Sequence, residues 1–359
     1  SSSCISIIIT LTCMCIIATS MPIPRRPTGE APFPTVYAFG DSYTDTGNTR
    51  SDSGPAGFTF VSNLPYGRTY FHRPTNRYSD GRLVIDFVAE ALSIPFLRPY
   101  RRGGGAGTGG VNFAVAGATA IDHRFFAKNN MTLDVTPESL ATQLGWFRER
   151  KRAADALFWV GEIGANDYAY SFGSSFYPRG IRRLAINTLT KFLQALLEGG
   201  AKYVVVQGLP PTGCLTLSLY LAPANDRDWA GCVASGNKHS QDHNAALKAK
   251  LNYFRQKFPK ATIVYADYYE AYLDVIRNPA AHGIKELFKS CCGNGGGSYN
   301  FNYFSVCGSP SSTACRNPSE YVNWDGVHLT EGMYRAVAES FLNGTHTQPP
   351  WPQLLDKKR

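Results

Sequence analysis

The chain has 359 residues, 43% of them hydrophobic and 18% charged, enough apolar material to bury a substantial core. Its formal charge of +9 favours anionic surroundings such as an acidic polysaccharide or a membrane surface. The basic residues are scattered, which speaks against a nucleic-acid partner and for a soluble, mildly basic surface.

In chain order, the first twenty residues hold no Asp, Glu, Lys or Arg, and Ile5 to Ile17 is a nearly continuous apolar run. Ala18-Thr19-Ser20 follows with the small residues of a cleavage site. Residues 1–20 therefore read as a secretory signal peptide, which predicts an extracellular protein or one of another secretory compartment. A membrane anchor is the rival reading, but the run is shorter than the roughly 18 apolar residues a span needs. No integral membrane span is expected in the mature chain. Residues 21–34, proline-rich and polar, read as a linker.

Thr35 to Phe39 then reads as a buried strand running into a tight turn at Gly40-Asp41-Ser42. Ser79 or Asp80 is positioned to cap a helix reaching Leu92. Further strands are expected at Val111 to Val115, Leu157 to Ile163, Tyr203 to Gln207 and Thr262 to Tyr265. Helical patterns lie around 138–150, 180–198 and 236–257, and a last one runs from about Leu329 to Leu342. Strands alternating with helices predict an α/β fold, a doubly wound parallel sheet covered on both faces. Residues 35–345 are read as one domain and 346–359 as a C-terminal tail. In such a sheet ligands bind beyond the carboxyl ends of the strands. Ser42, Gly117 and Asn166 each follow a predicted strand end, so three strands deliver them to one edge.

Cys4, Cys13 and Cys15 leave with the signal, and six cysteines remain: Cys214, Cys232, Cys291, Cys292, Cys307 and Cys315. An even number in a secreted chain suggests disulfides. Adjacent Cys291 and Cys292 would bond to each other only with strain. Each is therefore expected to pair with Cys307 or Cys315, leaving Cys214 for Cys232. A zinc site is the alternative, but no CxxC pair occurs. Asn130-Met131-Thr132 and Asn343-Gly344-Thr345 have the form of N-glycosylation acceptors.

Chemistry concentrates near the two ends. Phe39-Gly40-Asp41-Ser42 and Asp325-Gly326-Val327-His328 together supply the residue types of a hydrolytic triad. Serine is a weak nucleophile at neutral pH unless a base removes its proton, and histidine titrates in the right range to do so. A carboxylate three residues before the histidine is within reach of its other ring nitrogen, as on one helical turn. Taken singly, Ser42 is a turn or cap serine, and Asp325 with His328 a surface pair at a helix start. Acyl transfer also needs preorganised donors for an oxyanion. Asn166 in Gly164-Ala165-Asn166-Asp167-Tyr168 offers a side-chain amide. Gly117 in Asn112-Phe113-Ala114-Val115-Ala116-Gly117-Ala118 offers an unobstructed backbone N–H. It also suits a tight strand-to-helix turn, and the two roles are compatible.

These blocks resemble the GDSL esterase/lipase family of the SGNH hydrolase superfamily, most closely its plant branch. Pro65-Tyr66-Gly67-Arg68-Thr69-Tyr70-Phe71, Arg77-Tyr78-Ser79-Asp80-Gly81-Arg82 and Cys291-Cys292-Gly293 extend the likeness over nearly the whole mature chain. The resemblance implies a three-layer α/β/α fold with a flavodoxin-like sheet of about five parallel strands. It implies Ser42 as nucleophile, His328 as general base and Asp325 as its orienting partner. The oxyanion hole would comprise the Ser42 and Gly117 N–H groups and the Asn166 amide, with no metal or organic cofactor. Tyr43 departs from the pattern, standing where the family has Leu, so it is expected to narrow the pocket or add a hydroxyl. Asp45, Gly47 and Asn48 match the family block as turn-forming and supporting residues.

Three other patterns are set aside. Gly105 to Gly110 fits GxGxxG but precedes a predicted strand, where a dinucleotide motif must follow one. His239 and His243 have metal-ligand spacing without a zinc protease's Glu or a third ligand, so a solvated helix face is the reading. No GxSxG occurs, against an α/β-hydrolase nucleophile elbow. The expected activity is hydrolysis of small or soluble carboxylic esters through an acyl-enzyme. An acyltransferase passing the acyl group to an alcohol shares the first half of that reaction. A catalytically silent carbohydrate- or lipid-binding protein is the alternative from another class.

Overall fold

The computed structural model describes residues 31–50, 60–103, 109–131, 135–149 and 155–358. The signal-peptide reading falls outside these residues, as does most of the Gly105 to Gly110 pattern. Nine strands are found among them: β1 (Thr35–Phe39), β2 (Arg98–Pro99), β3 (Gly109–Asn112), β4 (Leu157–Val160), β5 (Tyr203–Gln207), β6 (Thr262–Ala266), β7 (Cys292–Gly293), β8 (Thr313–Ala314) and β9 (Thr347–Gln348). Seven form the main sheet in the order β2-β3-β1-β4-β5-β6-β9, all parallel except the last. The five central strands have the flavodoxin-like order, and β1 lies where that order reverses, between β3 and β4.

The strand sequences are short, β-branched and aromatic, as suits strands buried on both faces. Alternation sorts their side chains into two cores. Val36, Ala38, Trp159, Val205 and Val264 face one way, and Tyr37, Phe39, Phe158, Val204 and Ile263 the other. The helices are α1 (Val84–Ala91), α2 (His123–Lys128), α3 (Leu140–Arg148), α4 (Ala165–Tyr170), α5 (Pro178–Glu198), α6 (Thr216–Leu221), α7 (Ala234–Lys257), α8 (Tyr268–Arg277), α9 (Glu331–Leu342) and α10 (Trp351–Asp356). The first core lies under α1, α8, α9 and α10, the second under α3, α5 and α7. This is the three-layer α/β/α architecture.

Several boundaries differ from the sequence reading. The strand expected at 111–115 is β3, two residues earlier. A Cβ at Gly110 would collide with the backbone of Val36, so glycine lets β3 lie against β1 there. The strand ends at Asn112, whose side chain turns to bond Thr44 O and the Ala114 N–H, 2.7 and 2.9 Å away. The helix expected from Ser79 or Asp80 starts only at Val84. Asp86, not Ser79 or Asp80, satisfies its first turn by accepting the Leu83 N–H at 2.9 Å. Phe33, within the expected linker, is fully buried in the first core.

The stretch read as a C-terminal tail packs as part of the domain. β9 pairs antiparallel with β6, and Trp351 and Leu354 of α10 are buried, Trp351 with its ring 6.4 Å from that of Trp159. Replacing a buried aromatic by alanine typically costs about 3–5 kcal/mol. Trp351→Ala is therefore expected to lower unfolding free energy by about that amount in a urea titration; a wild-type midpoint would return 346–359 to the status of a tail.

Candidate active site

Ser42 follows β1, Gly117 follows β3 and Asn166 follows β4, so the three leave neighbouring strands at the carboxyl edge where the strand order reverses. Gly40 begins the turn after β1 at φ 138°, a conformation suited to glycine. Its N–H and C=O are both held by the buried Gln143 amide, at 2.9 and 2.7 Å. Ser42 is only 6% exposed. Neither its backbone N–H nor that of Gly117 has a hydrogen-bond partner among the described residues, so both donors are free.

The Asp325–His328 pair is formed. His328 Nδ1 lies 2.8 Å from Asp325 Oδ2 and 3.0 Å from Oδ1, with both side chains buried. The contact does not use the helical turn that the spacing suggested. Gly326 takes φ 103°, and Asp325 Oδ1 accepts the N–H groups of Val327 and His328 at 3.0 and 2.8 Å. A tight turn therefore aims the carboxylate at its own histidine. Tyr66 donates to Asp325 Oδ2 at 2.8 Å. Burial alone would raise the Asp325 pKa, but His328 beside it and the bonds from His328 and Tyr66 outweigh burial and lower it. Asp325 therefore stays a carboxylate, as the partner of an imidazolium must.

Tyr43 joins the two halves. Its ring is buried between Tyr268, Tyr334 and His328, and its hydroxyl donates to Val327 O at 2.7 Å. The residue after the candidate nucleophile thus bonds the residue before the candidate base. Tyr78, 4.6 Å from the His328 ring, covers another side. Of the two expectations for Tyr43, an added hydroxyl in the pocket gives way to this bracing role, because the hydroxyl is spent on the backbone.

Asn166 sits in the first turn of α4, half-buried. Its Nδ2 donates to Asp41 Oδ2 at 2.9 Å and to Ala118 O at 3.0 Å. Two neighbours that sequence reasoning passed over hold this side of the site. Asp167 accepts the N–H groups of Ala120 and Ile121 at 2.9 and 2.8 Å, and Tyr170 donates to Gly117 O at 2.8 Å. Both follow Asn166 in sequence; Asp167 stands in the Gly164 to Tyr168 block, whereas Tyr170 lies beyond it.

The loops around the histidine are tied down separately. The disulfides are Cys214–Cys232, Cys291–Cys315 and Cys292–Cys307, within the pairings the sequence left open. The N–H groups of Cys291 and Cys292 bond Asn323 O and Trp324 O at 3.0 and 2.7 Å, just before Asp325. Asp80 accepts the Glu331 N–H at 2.7 Å, and Arg82 pairs with Glu331, so the Arg77 to Arg82 block holds the start of α9. The solvated-face reading of His243 is overturned: it is buried, its Nδ1 3.2 Å from the Tyr168 hydroxyl, because α7 turns this face to the sheet. Burial lowers its pKa to about 3.

The model of the GDSL-like lipase/acylhydrolase family matches residues 36–341. A GDSL esterase/lipase of Arabidopsis thaliana is 53% identical, the alignment covering 95% of this chain and 93% of the relative. Acetylajmalan esterase 2 of Rauvolfia serpentina is 38% identical over 87% of this chain and 90% of its own. Among solved structures, an acetylxylan esterase from Geobacillus stearothermophilus covers 86% of this chain and 93% of its own at 13% identity and TM-score 0.40, too slight a likeness to carry an argument. The family model and the two plant relatives define a carboxylic ester hydrolase. The chain belongs to the plant GDSL esterase/lipase family.

Two expectations follow from the geometry. Tyr43→Phe removes one hydrogen bond and keeps the ring, so kcat for an ester is expected to fall roughly two- to tenfold with KM unchanged. An unaltered kcat would leave Tyr43 a packing residue only. The second concerns stability. Burial raises the Asp167 pKa to about 7, although the Ile121 and Ala120 N–H groups oppose the shift. The folded state then holds a proton between about pH 4 and 7 that the unfolded chain has released, so stability falls as pH rises through that window. Burial raises Asp41, Asp45 and Asp80 in the same direction. The melting midpoint should be higher at about pH 5 than at pH 7, with a smaller difference in Asp167→Asn; a midpoint that climbs over this interval contradicts it.

Proposed function

We propose that the chain is a serine esterase acting on short-acyl carboxylic esters, with Ser42 as nucleophile, His328 as general base and Asp325 as orienting carboxylate. The observation that carries this reading is the buried Asp325–His328 pair braced against the Ser42 loop through Tyr43 and Val327. Ser42 Oγ attacks the acyl carbon while His328 Nε2 takes its proton, and Asp325 stabilises the imidazolium. The oxyanion is received by the free N–H groups of Ser42 and Gly117. Asn166 becomes the third donor by giving up its bond to Ala118 O. The intermediate expels the alcohol, protonated by His328, and water activated by the same imidazole releases the acid.

The short acyl group is inferred from enclosure: Ser42 and His328 are 6% and 7% exposed, with Tyr43 and Tyr78 against the imidazole. A route through the secretory pathway is supported by the three disulfides and by the exposed positions of Asn130 and Asn343, which we assign as glycosylation acceptors.

The test is hydrolysis of p-nitrophenyl esters from acetyl to palmitoyl. Activity should peak at the short end and fall by on the order of 10⁴-fold or more in Ser42→Ala. A palmitoyl optimum would overturn the acyl assignment, and a variant keeping above about 1% of the rate would overturn the nucleophile. Product shifting from acid to a new ester on addition of an alcohol would make the protein an acyltransferase.

A further inference from the structure

Behind the candidate nucleophile lies a carboxyl group that the proposed reaction does not use. Glu162, two residues past β4, is completely buried. Its backbone is fixed by its N–H, which donates to Gln207 Oε1 at 3.2 Å, and by the preceding Gly161 N–H, which donates to Phe39 O at 2.8 Å. Its side chain reaches Asp41, the residue immediately before Ser42. Among the described residues the Ala165 N–H is the one backbone donor near the Glu162 carboxyl, and it makes no well-formed bond to either oxygen. The other groups around the pair are the Asp167 carboxyl beside Glu162, the Asp45 carboxyl beside Asp41 and the phenols of Tyr43, Tyr268 and Tyr334; the His328 imidazole lies toward Asp41. Among the described residues no Lys or Arg neutralises the pair.

Two adjacent buried carboxyls without a cation cannot both ionise. The hydrogen bonds decide which keeps its charge. Asp41 Oδ1 accepts the Tyr43 N–H at 3.1 Å and Asp41 Oδ2 accepts Asn166 Nδ2 at 2.9 Å, so Asp41 is surrounded by donors and suits a carboxylate. Glu162 has only the Ala165 N–H nearby, without a well-formed bond, and burial pushes its pKa well above the ordinary range despite it. The hydrogen that joins the two carboxyls is therefore the proton of Glu162 itself.

The geometry points to Glu162 as a positioning residue, a neutral carboxylic acid that donates to Asp41 so that Asp41 holds the Asn166 amide at the oxyanion site. The inference rests on the proposed role of Asn166 in ester hydrolysis. Glu162–Asp41–Asn166 is then a second chain of hydrogen bonds on the oxyanion side of Ser42, complementing Asp325–His328 on the base side. Glu162 touches neither substrate nor reacting atoms and acts through Asn166 alone. This also accounts for a charge-capable side chain at a place where an apolar one would cost less to bury.

A double-mutant cycle tests it. Glu162→Met fills similar volume and has no donor, whereas Glu162→Gln keeps an N–H for Asp41. In the wild-type background Glu162→Met is expected to lower kcat roughly 10- to 100-fold with KM unchanged, and Glu162→Gln to stay within about threefold. In the Asn166→Ala background Glu162→Met should cost no more than about threefold, because the residue through which it acts is gone. Equal losses in the two backgrounds, a Gln variant as impaired as Met, or a Met variant with full kcat would each overturn the proposal. Should Glu162→Met fail to fold, Glu162→Leu takes its place in the same cycle, with a loss of roughly 10- to 100-fold expected alone and no more than about threefold on top of Asn166→Ala. Ser42→Ala run alongside separates the two ideas. Its inactivity with additive Glu162 and Asn166 effects removes the relay and leaves the esterase, whereas its full activity removes the esterase reading first.

Discussion

The arrangement depends on one buried carboxylate, Asp45. The loop after β1 and the loop after β3 leave adjacent strands side by side, and both bring backbone N–H groups into a region closed to water. Such groups are costly unless paired. Asp45 takes four of them: Oδ1 accepts from Gly47 and Asn48 at 2.8 and 2.6 Å, and Oδ2 from Thr49 and Ala116, each at 3.0 Å. Ala116 immediately precedes Gly117, so the side chain that folds the Ser42 loop also sets the Gly117 loop. Asn48 reinforces the seam by donating to Asn112 O and Ala114 O at 2.9 and 2.8 Å.

Around that seam the site is assembled from two sides of different construction. The oxyanion side is built on the sheet: Asn166, Asp167 and Tyr170 on α4, which follows β4, clamp the Gly117 loop after β3 across the intervening β1. The histidine side is built on a loop with little regular structure, held by disulfides, by Asp80 and Arg82, and by its own Asx-like turn. Tyr43 is the strut between them. A leucine at that position has no hydroxyl to reach Val327, so the departure from the family pattern tightens the relation between the two halves without adding a reactive group.

Much of this was legible in the sequence, for physical reasons that also explain what was not. Short β-branched runs of β1, β5 and β6 and the long amphipathic patterns of α5 and α7 carry their own periodicity, so fold class and layer order could be read. Asp325 and His328 are close in sequence and their contact is local. The six-residue helices α2, α4, α6 and α10 are too short to display a period, and their stability comes from packing. Glu162, Tyr170 and Trp351 carry no local signal because their partners follow other strands or lie at the far end of the chain. Tyr43 was noticed as a departure, yet the partner of its hydroxyl is a backbone carbonyl 284 residues away, which no local pattern encodes.

The central claim is that Ser42 becomes the reactive atom of this assembly. Labelling with a fluorophosphonate, followed by peptide mass spectrometry, addresses that atom directly, since the reagent is captured by an activated serine and mimics the tetrahedral intermediate. The account expects one equivalent of label, on Ser42, with none taken up by His328→Ala. Stoichiometric label on any other residue, or ester turnover that persists with Ser42 unlabelled, would contradict it.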